Sequence, residues 1–128
     1  MGLFFMKKTT DEDFKIFKEE ARKWIEVFGL YGWHVFFYHV VLDEFEDCAT
    51  CSIDLMDRIC TIRLNKDWEE ATVKEIRRVA FHEVCELLFA RIEEISNGRG
   101  YNSIDAREEV HNLINTLEKV IYNDRQER

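Results

Sequence analysis

The run from Ala80 to Ala90 is apolar except for His82, Glu83 and Glu86. Burying an imidazole and two carboxylates costs free energy unless something pairs with them. Residues four apart stack on one face of a helix. His82 and Glu86 can therefore reach one point, with Glu83 about 100° round the axis. This is the spacing of H-E-x-x-H, in which the first and last residues bind zinc and the glutamate between them takes a proton from an activated water. Here the pattern reads H-E-V-C-E, with Glu86 in the place of the second His.

Catalytic zinc commonly has three protein ligands and one open position, and two His plus one Glu is a frequent set. With Glu86 as the carboxylate, a second imidazole is needed. The chain has four His, at positions 34, 39, 82 and 111. His34 and His39 fall five apart in an aromatic stretch that reads as a strand, so they point to opposite faces. They are expected to be packing or sheet-edge residues. His111 lies beside the apolar stripe Val110, Ile114, Leu117 and Ile121 of a final helix. The expected ligand set is His82, Glu86 and His111. Asp105, Glu108 and Glu109 stand as substitutes for the third position. These donors suit Zn²⁺, and equally Mn²⁺ or Fe²⁺, since two His and one carboxylate also form the facial triad of non-haem iron. The plainer alternative is a water-facing acidic stripe, Glu75, Glu83, Glu86 and Glu93, with no metal at all.

The elements that must position these groups can be read from periodicity. Thr10 followed by Asp11, Glu12 and Asp13 marks a helix start. Phe14, Phe17, Ala21, Trp24, Ile25 and Phe28 continue it at helical spacing to Phe28, before Gly29 and Gly32. Trp33 to Leu42 is β-branched and aromatic and reads as a strand. After a polar break at positions 43–47, the alternation of Ala49, Cys51, Ile53 and Leu55, then of Cys60, Ile62 and Leu64, predicts a hairpin turning at Met56-Asp57-Arg58. Thr72 and Glu75 form a capping box, opening a helix expected to run to about Ile95. A loop at positions 97–100 and a helix capped by Ser103 complete the chain. The expected fold is α+β: an N-terminal helix, a three-stranded, mostly antiparallel sheet, a central motif helix and a C-terminal helix.

The 128 residues suggest a single domain, with residues 1–9 as a tail. With 46% hydrophobic residues, ten Phe and three Trp, the chain can build a substantial core. A net charge of −8, with the basic residues dispersed, argues against a nucleic-acid partner. The apolar run Leu3 to Met6 is too short for a signal-peptide core or a membrane span, and no membrane partner is expected. A cytoplasmic location follows as the expectation. There the four Cys need not be disulfides. Cys48 and Cys51 form one C-x-x-C without a second, so they are read as packing residues.

The strings VAFHEVCELLFARI, GWHVFFY, CTIRLNKDW and EEVHNLINTLE together resemble small zincin-like metallopeptidase domains, most closely phage-encoded ones. The likeness covers Asp11 to Tyr122. It implies that the motif helix follows a short sheet and that the third ligand comes from the next helix. It implies His82 as first ligand, Glu83 as general base and zinc as the metal. The second family His corresponds to Glu86, a departure that bears on proteolysis more than on metal binding. The implied setting is a host cytoplasm. The expected function is a metal-dependent hydrolase acting on a peptide or protein, an edge strand such as Trp33 to Leu42 holding the peptide. The alternative is a zincin-like binding module whose metal is structural and whose surface engages a host or partner protein.

Overall fold

The computed structural model describes residues 6–43, 47–98 and 103–123. Helix α1 (Asp11–Val27) begins where expected. Thr10 Oγ1 accepts from the Asp13 amide at 3.1 Å, and Asp13 Oδ2 accepts from the Thr10 amide at 2.9 Å. The reciprocal pair satisfies two otherwise orphaned donors. Thr10→Ala is expected to cost about 1 kcal/mol, measured as a lower urea midpoint with unchanged slope.

Strands β1 (His34–Val40), β2 (Ala49–Asp54) and β3 (Ile59–Asn65) form one sheet in the order β1-β3-β2. β2 and β3 make the expected antiparallel hairpin. β1 runs parallel to β3 over seven residue pairs, from His34↔Ile59 to Val40↔Asn65. The sheet is therefore mixed, where the sequence reading expects mostly antiparallel pairing. The reason lies in which strand takes the centre. Cys60, Ile62 and Leu64 of β3 are fully buried, whereas β1 and β2 each expose alternate residues. The most buried strand sits in the middle and β1 docks on its free side. Because β2 runs opposite to β3, a chain returning from the far end of β1 into β2 leaves β1 aligned with β3.

Helix α2 (Val73–Gly98) extends three residues beyond its expected end. It packs on α1, on β2 and on α3 (Ser103–Glu118), which makes it the central helix. Its buried residues fall into two groups. Ile76, Val79, Ala80, Val84 and Leu87 join Phe17, Ala21 and the inner face of β3. Phe81 and Cys85 join Val110, Ile114 and Tyr122. The second group ties the chain's end to the first helix. Tyr122, in a short π-helical turn (Lys119–Asn123), donates its hydroxyl to Glu20 Oε2 at 2.6 Å. The Trp24 indole donates to the same carboxylate at 2.7 Å, and its ring meets Phe81 edge-on at 4.8 Å.

Within the expected tail, Lys8 pairs with Glu69 as a short antiparallel bridge, and the Lys7 amide donates to Glu70 Oε1. Residues before Met6, positions 44–46 of the polar break and Arg99 and Gly100 of the expected loop lie outside the described residues. So do the side chains of Ser103 and Asp105. All four Cys are free thiols; Cys51 Sγ lies 3.4 Å from Cys60 Sγ across the hairpin rather than pairing with Cys48. Among the described residues no helix is long and apolar enough to cross a membrane.

Candidate metal centre

The motif helix and the last helix bring His82, Glu86 and His111 together. His82 Nε2 is 3.4 Å from Glu86 Oε1, and His111 Nε2 donates to the same oxygen at 2.8 Å. One potential ligand atom from each of the three lies within 4.8 Å of the others. The imidazole rings are 5.9 Å apart, centroid to centroid. A tetrahedral ion with bonds of about 2.0–2.1 Å holds its donors about 3.4 Å apart. The His82–Glu86 spacing already has that value. The shorter His111–Glu86 distance is a direct hydrogen bond, which an ion held between the two groups would replace. The donor types and spacing fit a divalent cation.

The helical spacing puts His82 and Glu86 on one face of α2. The third donor depends on how α3 packs. Val110 and Ile114 are buried against Phe81 and Cys85, and this contact carries His111 alongside Glu86. Glu108 and Glu109, the substitutes weighed from sequence, are exposed on α3. His34 is exposed on β1. His39 is a packing residue: its ring stacks on Phe14 at 5.0 Å and its Nε2 meets Thr9 Oγ1 at 2.9 Å.

Glu83 does not belong to a water-facing stripe. It is 7% exposed, so the plainer reading fails at this residue. Burial pushes its carboxyl up to about 7; the His82 charge opposes that rise, and Glu86 and Asp47 add to it. Glu86 stays below the usual carboxylate range. Burial would raise it, but the hydrogen bond with His82 and the charge of His111 outweigh burial. Burial would also lower His82, yet hydrogen bonds to Glu118 and Glu86 push it up to about 10. In the absence of a metal His82 is thus a cation at neutral pH, and an ion entering the site must displace its proton. Glu93, two turns beyond Glu86, has its carboxyl raised by burial and by Glu86.

Glu118 is the residue the sequence reading passes over. It is 6% exposed. Its Oε1 accepts from His82 Nδ1 at 2.7 Å, and its Oε2 accepts from Arg78 at 3.1 Å. The signal available for it was modest: a glutamate one residue after Leu117 of the apolar stripe, seven after His111.

No family model, curated protein or solved structure matches this chain. The functional reading therefore rests on the site's own geometry.

Proposed function

We propose that this protein is a metal-dependent hydrolase, most simply a zinc peptidase of zincin-like type, with His82, Glu86 and His111 as ligands and Glu83 as general base. The observation that carries this reading is the convergence of the three donors from two helices beside a buried carboxylate with a raised pKa. Zinc supplies Lewis acidity, acidifying a water and polarising a carbonyl. The chain's residues do the rest. Glu83, on the next helical position from His82, is poised near neutrality. It can accept a proton from the water and return it to the leaving amine. Its burial keeps it clear of bulk solvent. Mn²⁺ and Fe²⁺ fit the same donor types.

A peptide substrate needs a backbone template. The sheet order leaves β1 and β2 as edges, and β2 is the edge strand that packs on the motif helix. It, rather than β1, is the strand suited to hold a peptide by strand addition. A second reading has one observation in its favour. Phe36 and Tyr38 are about half exposed on the outer side of β1, away from the metal centre, as a protein-binding face would require. In that reading the metal is structural and the partner is a host protein.

The test is elemental analysis of untagged protein together with hydrolysis of a mixed peptide library. About one equivalent of zinc and a defined cleavage product, both abolished by a chelator and restored by zinc, are expected. Zinc without any product would replace the enzyme reading by the binding-module one. Protein that takes up no added metal would end both.

A further inference from the structure

We infer that Glu118, clamped by Arg78, is a positioning residue that fixes the ring of His82 with Nδ1–H turned toward α3 and Nε2 turned toward Glu86 and His111. The inference rests on the metal-centre reading and adds an outer partner to it. An imidazole has two nitrogens, and the hydrogen bond made by one decides which remains to bind a metal. Here Nδ1 lies 2.7 Å from Glu118 Oε1, and Nε2 lies on the Glu86 side at 3.4 Å. The carboxylate is itself held. Its second oxygen takes Arg78 Nη1 at 3.1 Å, and it is almost wholly buried. Arg78 and His82 are four apart on α2, so a single glutamate from α3 bridges one turn of the motif helix.

The arrangement spans both helices that supply ligands. α2 gives His82 and Glu86; α3 gives His111 and, seven residues later on the same side, Glu118. The anchoring of Tyr122 to Glu20 and Trp24 lies just beyond and holds this end of α3 in place. Outer carboxylates of this kind orient a ligating imidazole and raise its basicity, and their loss typically costs 10–100-fold in metal affinity.

Zinc titration of wild type, Glu118→Gln and Arg78→Met, with folding checked by circular dichroism, tests this. Glu118→Gln should bind zinc roughly 10–100-fold more weakly, with Arg78→Met affected in the same direction but less. Long-range ¹H–¹⁵N correlation of the zinc-loaded wild type should show His82 protonated at Nδ1 and metal-bound through Nε2. That spectrum stands even if Glu118→Gln fails to fold. Wild-type affinity in both folded variants, or zinc on Nδ1, would overturn the positioning role while leaving the metal centre intact. A wild type that takes no zinc would overturn the metal reading and this role with it.

Discussion

Glu83→Gln is expected to retain its zinc and to lose hydrolysis by about 10²–10⁴-fold, the usual contribution of a general base. Gln is nearly isosteric and neutral, so the ligands His82, Glu86 and His111 stay in place while the proton acceptor is gone. A stoichiometric metal measurement beside single-turnover rates separates the two effects. Turnover equal to wild type would remove Glu83 from the mechanism. The same substitution has a second, independent signature in metal-free protein. The folded carboxyl holds its proton to about pH 7, whereas in the unfolded chain it ionises near 4.5. The folded state therefore binds more protons between these values, and stability falls as pH rises from 4.5 through 7. The loss is complete about a unit above 7 and amounts to something on the order of 3 kcal/mol. Gln carries no such penalty. Metal-free Glu83→Gln should melt several degrees above wild type at pH 8, and the gap should close toward pH 4.5. A constant gap at all pH values would show that burial of this carboxylate is not what strains the fold.

His111→Ala is expected to weaken zinc binding by more than 100-fold, beyond what loss of an outer partner costs, because one of three donors is gone. Wild type at a free zinc concentration of 100 Kd should gain about 2.7 kcal/mol in unfolding free energy, reversed by a chelator. The variant should gain almost nothing at that concentration. Glu109→Ala, an exposed neighbour on the same helix, serves as the control and should behave as wild type. Binding should also release a proton. His82 is held protonated by Glu118 and Glu86 up to about pH 10, so near pH 8 about one proton should leave from it per ion bound, and affinity should weaken as pH falls. Retention of zinc by His111→Ala with loss in Glu109→Ala would move the third ligand to the carboxylate.

Much of this was legible in the chain because it depends on local period. The capping boxes at Thr10 and Thr72, the alternation through β2 and β3, and the His82–Glu86 face of α2 follow from spacings of two, three and four. The substitution of Glu86 for the second His was likewise visible, together with the need for an imidazole from elsewhere. Two readings went astray for one reason. The direction of β1 beside β3 depends on which strand becomes central, and the length of α2 on what packs along it. Neither is encoded in a short window.

Local sequence thus determined the identity of the elements and the first two donors, because backbone geometry converts spacing into a shared face. Tertiary packing decided the rest. Val110 and Ile114, buried against Phe81 and Cys85, choose His111 over the exposed Glu108 and Glu109. The same docking delivers Glu118, thirty-six residues away in the chain, to His82 Nδ1. Glu83, one position along the helix from a half-buried His, is itself only 7% exposed. Contacts of that sequence separation are set by how apolar faces fit together, and a buried carboxylate reads no differently from an exposed one until its neighbours are in place.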